Sequence, residues 1–180
     1  MGDPEDTAPT GLDAFNALDG PRAASALREV CAADAWIAAV RDGRPYPGST
    51  DVYAASDTAT AALTDPGLDQ AMAAHPPIGR PTPGDPASAR EQRGMAGAPE
   101  HLRARMLELN LAYQERFGHV FLICATGLSA ADMLTALTAR LGNTPERERE
   151  AVRVELGRIN RLRLARLLGD DTPTAEEAPK

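Results

Sequence analysis

The stretch HPPIGRPTPGDPASAREQ, residues 75–92, holds both a helix stop and a helix start, and it organises the chain on either side. Pro76 and Pro77 each fix their own φ and push the preceding residue out of the helical region, so a helix over 67–74 is predicted to end at His75. Histidine titrates near neutral pH, and this one lies where the chain is stiff, so it is a candidate proton donor or acceptor. The alternative is a helix end capped by its own imidazole.

The second half of the stretch predicts a helix with a polar face. Asp85 as N-cap and Pro86 at the first helical position form a strong start signal. Ser88, Glu91 and Gln92 then follow at spacings of three and four residues, which places a hydroxyl, a carboxylate and a carboxamide on one face. The alternative is a solvated polar surface.

The composition indicates a globular protein and argues against several partners. A chain of 180 residues with 43% hydrophobic content is long enough for one domain with a real core. The net charge of −7, with interleaved basic residues, argues against nucleic-acid and membrane-surface binding. No run approaches the ~18 apolar residues of a membrane span, and the start MGDPED has no signal-peptide regions. We therefore expect a cytoplasmic protein.

The cysteines and histidines do not form a metal-binding pattern. Cys31 and Cys124 stand alone without a CxxC spacing, which predicts two reduced core residues. The three histidines are scattered along the chain. We expect no metal site.

Helical signals dominate the rest of the chain, since Ala, Leu, Arg and Glu are abundant and aromatic residues make up only 4%. The predicted fold is all-α, a single-domain bundle of about eight to nine helices over residues 11–169. The polar ends, 1–10 and 170–180, are predicted to be disordered. Ser129 and Asp132 form a predicted capping box. Helices are predicted at 12–18, 21–32, 33–41, 50–64, 67–74, 86–95, 99–116, 130–141 and 145–168.

One short run, VFLICA at 120–125, has strand-like composition. It has no second strand to pair with, so it is predicted to be a buried extended or short helical connection that ends at Gly127. Buried backbone of this kind has amides to offer a ligand.

The last predicted helix carries an arginine on its apolar stripe. Val152, Leu156 and Ile159 form the stripe, and Arg163 continues it, whereas Arg161 is predicted to face solvent. An arginine on a core-facing stripe needs an anionic partner. That partner is either a ligand carboxylate or a structural one, a buried carboxylate or a helix end.

Ordered motifs along residues 12–168 carry a family resemblance. They are Phe15-Asn16-Ala17-Leu18, Ala35-Trp36-Ile37-Ala38, His75-Pro76 with Ile78-Gly79, Ser88-x-x-Glu91-Gln92, Phe117-Gly118 with Phe121-Leu122-Ile123-Cys124-Ala125, and Arg161-Leu162-Arg163-Leu164. In this order they resemble the 2-oxo-4-hydroxy-4-carboxy-5-ureidoimidazoline decarboxylases, or OHCU decarboxylases.

The resemblance implies the all-helical fold of that family, no cofactor, a homodimer, and decarboxylation of OHCU to (S)-allantoin and CO2 in urate degradation. By motif, His75 is similar to the catalytic histidine of the family, with Glu91 close to it. The positions similar to those that hold the substrate are Pro76, Ser88, Gln92, Phe121, Leu122, Ile123, Cys124, Ala125 and Arg163. The connection between His75 and Ser88 is short and rich in Pro and Gly, so the loop path over the site can differ from that of longer members.

The chemistry suits these residue types. The substrate is in effect a β-imino acid, so electrons released by loss of CO2 flow into its C=N bond without a cofactor. We predict that His75 is the general acid/base, poised by Glu91, although a coupled pair leaves open which of the two delivers the final proton.

Two other functions remain open at this stage. A non-catalytic helical interaction module would place His75, Glu91 and Arg163 on separate solvated surfaces. A relative with the same fold could instead act on another molecule derived from a purine ring.

Overall fold

The computed structural model describes residues 11–170, and over that range it is all-helical, as predicted, with no β-strand. The ends predicted to be disordered lie outside the described residues, apart from Asp170. The helices are α1 Leu12–Ala17, α2 Gly20–Val30, α3 Asp34–Asp42, α4 Ser49–Ala61, α5 Asp65–Ala73, α6 Pro86–Glu91, α7 Glu100–Phe117, α8 Ala130–Arg140 and α9 Pro145–Leu168, with a 3₁₀ turn at Arg93–Met95.

Capping residues explain where several helices begin and end. The Asp85 carboxylate accepts the Ala87 N–H at the start of α6, as an N-cap should. Ser129 and Asp132 form the predicted capping box at the start of α8. Gly118 ends α7 with a φ of 76°, in the left-handed region that glycine enters without steric cost.

The described residues divide into two compact units. The first unit consists of residues 11–63 and 160–170. Within it Trp36 is fully buried, and its indole N–H donates to the Ser56 carbonyl at 3.3 Å. The Asn16 side chain exchanges two hydrogen bonds with the Tyr46 backbone, each 2.9 Å long. The motif that begins at Phe15 therefore has a structural role in this unit.

The second unit consists of residues 64–159 and has its own hydrophobic core. The core is contributed by α7, α8 and the segment between them, together with Ile78 from the loop after α5, Met95 from the 3₁₀ turn, and Ala98. Its buried members are Ile78, Met95, Ala98, Met106, Leu109, Tyr113, Phe121, Ile123, Ala125, Ala130, Met133 and Leu137. The described residues thus form two compact units where the sequence predicted one domain, and the single-domain boundaries stay a prediction.

Candidate active site

His75 follows α5 in the second unit, where the prolines predicted a helix end. Its backbone N–H donates to the Met72 carbonyl at 2.9 Å, which closes the last turn. The residue is only 8% exposed. A buried imidazole whose backbone is fixed on one side by a helix and on the other by Pro76 and Pro77 has little freedom to move. The helix-end part of the prediction is confirmed, and the catalytic role stays a prediction.

The loop that follows His75 is held by two side chains of the next helical segment. The Gln92 carboxamide accepts the Gly79 N–H at 2.8 Å and donates to the Pro77 carbonyl at 3.2 Å. The Ser88 hydroxyl accepts the Thr82 N–H at 2.9 Å. Both side chains are buried. Ser88 and Gln92, both predicted to hold the substrate, therefore fix the loop that follows His75.

Asn110 is a third anchor of this loop, and the sequence reasoning missed it. Its amide nitrogen donates to the Ile78 carbonyl at 2.9 Å, and the residue is 4% exposed. The available signal was an asparagine at a core-facing position of α7, flanked by Leu109 and close to Tyr113. A buried carboxamide among apolar residues needs hydrogen-bond partners, which marks it as a structural anchor.

Glu91 is half-buried at the end of α6. Burial raises the pKa of the Cys124 thiol, and the negative charges of Glu155 and Glu91 raise it further. The catalytic role of Glu91 beside His75 stays a prediction.

A glycine lets α6 and its 3₁₀ turn approach the segment at 121–125 closely. A Cβ added at Gly94 would lie 1.9 Å from the Leu128 carbonyl oxygen. Only a residue without a side chain fits there. Gly94 therefore sets the distance between the helix that carries Glu91 and Gln92 and the turn that ends the segment at 121–125.

The segment at 121–125 is buried and is neither helix nor strand, in agreement with the prediction of a buried connection. The Leu122 carbonyl accepts from Arg140 at 2.5 Å, and the Cys124 N–H donates to Glu155 at 2.9 Å. The Cys124 amide is thus already engaged. Within residues 11–170, the amides of Ile123 and Ala125 have no protein acceptor.

Arg163 and Arg161 lie in the first unit and differ as the helical-face argument predicted. Arg161 is exposed and forms a bidentate ion pair with Asp57. Arg163 is half-buried, and its guanidinium donates to the Val30 carbonyl at 3.1 Å, at the C-terminus of α2. The helix-end contact matches one of the two predicted partners. Contact with a substrate carboxylate stays a prediction.

The described part of the chain has neither a metal-binding cluster nor a membrane-spanning helix. Residues 11–170 contain no group of three or more His, Cys, Asp or Glu side chains arranged to hold a metal ion. Cys31 and Cys124 are both free thiols, and Cys31 is the more buried. None of the described helices has the length and hydropathy needed to cross a membrane.

The described chain is thus an all-helical protein whose second unit carries a buried histidine next to a loop held by buried polar side chains. A family model described as OHCU decarboxylase matches residues 16–165. The chain belongs to the OHCU decarboxylase family.

Named relatives agree with this membership. An OHCU decarboxylase of Amia calva is 35% identical over 133 residues, which cover 71% of this chain and 76% of that protein. An OHCU decarboxylase of Mus musculus is 31% identical over 144 residues, 77% of this chain and 81% of that protein. A crystal structure of OHCU decarboxylase in the presence of (S)-allantoin superimposes with a TM-score of 0.70 at 26% identity, covering 79% of this chain and 96% of that one.

Proposed function

We propose that this protein decarboxylates OHCU to (S)-allantoin and CO2 in urate degradation, as a cytoplasmic enzyme that needs no cofactor. The observation that carries the proposal is membership of this family over residues 16–165, supported by a buried histidine, His75, that directly precedes a loop held by Gln92. A relative crystallised in the presence of (S)-allantoin supports the nature of the product.

The reaction needs orientation and proton delivery more than an electron sink. The bond between a ring carbon and the carboxylate breaks, CO2 leaves, and the electron pair enters the neighbouring C=N bond. A proton is then delivered to one face of the ring, which makes the product chiral. The enzyme contributes fixed donors for the developing negative charge and one positioned acid.

His75 delivers or receives the proton in this proposal, and Glu91 poises it. The imidazole is buried and its backbone is fixed between α5 and two prolines, and such limited freedom suits a stereospecific proton transfer. In this proposal Glu91 lies close enough to His75 to exchange a proton with it, so either group can be the final donor.

The substrate is held by backbone amides and by polar side chains. The amides of Ile123 and Ala125 have no protein acceptor within residues 11–170, and a buried N–H without a partner costs free energy that a ligand oxygen recovers. In this proposal the substrate also contacts Pro76 and the side chains of Ser88 and Gln92. The positive charge of Arg163 balances the negative charge of the substrate.

A coupled assay followed by circular dichroism tests the function. Urate is oxidised by uricase in the presence of hydroxyisourate hydrolase, with and without this protein, and the (S)-allantoin signal is recorded. We expect rapid growth of the signal with the wild-type protein. His75→Ala should lose about 10²- to 10⁴-fold of the rate, since that is the usual contribution of a general acid or base.

His101→Ala is the matched control, because His101 is exposed on α7 and lies outside the proposed site. Slow drift to racemic product with the wild-type protein would show that this chain acts on another substrate or serves as an interaction module. Equal activity of His75→Ala and His101→Ala would remove the proposed role of His75.

The exposed face of α7 supports a homodimer. Leu107 and Leu111 are 40% and 58% exposed, one turn apart, and Ala104 lies on the same face. If two copies of α7 pair antiparallel about a two-fold axis midway between the leucines, Leu107 meets Leu111 of the second copy. The same axis places Arg103 opposite Glu115 of the second copy, so the pairing is complementary in charge.

Sedimentation or light scattering tests this pairing. Leu111→Glu should give a monomer, whereas Val154→Glu should not, because Val154 is similarly exposed but lies on α9. Arg103→Glu should weaken the dimer, and adding Glu115→Arg should restore it. A wild-type monomer, or a dimer that survives Leu111→Glu, contradicts the proposed interface.

A further inference from the structure

A buried ionic network lies beside the segment at 121–125 and has no part in the proposed chemistry. The Glu148 carboxylate is fully buried, and it accepts from Arg140 Nε at 2.8 Å and from Asn143 at 2.7 Å. It also accepts from the Tyr113 hydroxyl. Burial and this hydrogen bond raise the pKa of Tyr113 well above its ordinary value, so the hydroxyl stays a donor at neutral pH.

The network orients Arg140, and Arg140 in turn binds the backbone carbonyl of Leu122. Glu148 binds the Nε edge of the guanidinium, which leaves Nη1 to donate to the Leu122 carbonyl. The same guanidinium lies 4.7 Å from the centroid of the Phe121 ring. A planar donor group fixed at three places allows little movement of the peptide that it binds.

Glu155 provides a second anchor two residues further along. One carboxylate oxygen accepts the Cys124 N–H at 2.9 Å, and the other accepts from Arg158 at 2.7 Å. Engaged backbone groups at Leu122 and Cys124 thus alternate with amides at Ile123 and Ala125 that have no protein acceptor within residues 11–170. This is the alternation of an extended chain, in which the backbone groups of residues two apart point to the same side.

We propose that Arg140 and Glu155 are positioning residues that fix one edge of the segment at 121–125, so that the amides of its other edge are presented to the substrate. Isolated buried ion pairs add little stability compared with apolar packing, so stability alone is a weak reason for this network. This inference rests on the proposed function, because it assigns those amides to the substrate of the decarboxylation.

Glu155 is the better residue to change, since removal of Arg140 would leave Glu148 buried without its charge partner. Glu155→Ala deletes the acceptor of the Cys124 N–H. Glu155→Gln keeps an oxygen that can accept it, and so should rescue the effect. Arg158→Ala is the matched control, because it removes the exposed partner of Glu155 and leaves the Cys124 contact in place.

Kinetics with OHCU are measured well below the unfolding temperature of each variant. We expect kcat/KM to fall about ten- to a hundredfold in Glu155→Ala, since small misplacements of binding groups cost that much. Glu155→Gln and Arg158→Ala should stay within about threefold of wild type. Wild-type kinetics in Glu155→Ala, or equal losses in the Ala and Gln variants, would overturn the proposal.

Amide hydrogen exchange separates this proposal from the proposed function. The Cys124 amide should lose protection in Glu155→Ala and keep it in Glu155→Gln, whether or not OHCU is the substrate. If the two variants show this pattern but the wild-type protein does not decarboxylate OHCU, the proposed function fails and the anchoring stands. If the Cys124 amide is equally protected in both variants, the anchoring fails.

Discussion

Gln92 illustrates how one side chain can serve both the backbone and a ligand. Its carboxamide bridges Gly79 and Pro77, while a carboxamide oxygen has a second lone pair and its nitrogen a second proton. Two of four possible hydrogen bonds thus hold the loop after His75. The loop and any ligand bound by Gln92 are therefore coupled through a single group.

Replacement of Gln92 by Met tests this double role. The variant keeps the length of the side chain but leaves the Gly79 N–H and the Pro77 carbonyl without their partner, which should lower the free energy of unfolding by about 1–3 kcal/mol. Urea unfolding measures the stability. The coupled assay should show a loss of kcat/KM even at temperatures where the variant is fully folded. Arg147→Met, at an exposed position of α9, is the control and should change neither quantity appreciably.

The two arginines of the last motif give a second prediction at the residue scale. Arg163→Gln should raise KM, because it removes the charge proposed to balance the substrate. Arg161→Gln should leave KM unchanged and cost at most about 1 kcal/mol of stability, since its partner Asp57 is 43% exposed. If Arg163→Gln lowers stability with KM unchanged, the role of Arg163 is structural, at the C-terminus of α2 where it donates to the Glu29 and Val30 carbonyls.

At the scale of elements, α6 shows why the predicted helix over 86–95 is shorter in the structure. The α-helix ends at Glu91, Gln92 adopts φ −96° and ψ 20°, and a 3₁₀ turn follows. Gly94 has low helix propensity and must pack against the Leu128 carbonyl, so the chain tightens there. This local change ends the helix just before the residue that holds the loop.

Gly94→Ala tests that packing. Its Cβ would meet a backbone oxygen at 1.9 Å, and a backbone atom cannot rotate away as a flexible side chain can. We expect a loss of about 2 kcal/mol or more in the free energy of unfolding, together with a loss of activity. Gly20→Ala is the control, since nothing lies within 4 Å of its added Cβ. Equal stability of the two variants would contradict the close approach.

At the scale of the whole molecule, all three tyrosines of the chain share one electrostatic property. Burial raises the pKa of Tyr46, Tyr53 and Tyr113 above the ordinary value near 10, and hydrogen bonds to Asp170 and Glu148 add to the effect for the last two. The pKa of Tyr53 reaches about 12. Each unit contains at least one of these residues.

Alkaline titration therefore reports on folding. Because the folded pKa values are raised, the folded state holds more protons above pH 10 than the unfolded state does, and stability falls as the pH rises further. Absorbance near 295 nm should show no tyrosine ionising with an ordinary midpoint in the folded protein, and all three doing so in denaturant. A tyrosine with an ordinary midpoint before unfolding would contradict the burial described here.

The helices and much of the candidate site followed from local signals. The N-cap at Asp85, the capping box at Ser129 and the αL glycine at 118 are all short-range hydrogen-bond patterns, and each was readable from adjacent residues. The buried side of α9 was equally predictable, because helical periodicity separates Arg163 from Arg161 without knowledge of any neighbour.

By itself, the sequence determined the all-helical class, the boundaries of its helices to within a few residues, the family, and the residue types at the site. Only the tertiary structure decided that Gln92 accepts a hydrogen bond from Gly79 and that Arg140 donates one to the Leu122 carbonyl. It also decided that Gly94 packs against the Leu128 carbonyl. The physical reason is how far apart the interacting residues lie along the sequence. Caps and periodicity are set by residues within one or two turns, whereas these contacts join residues 13 to 34 positions apart through a fold that must form first.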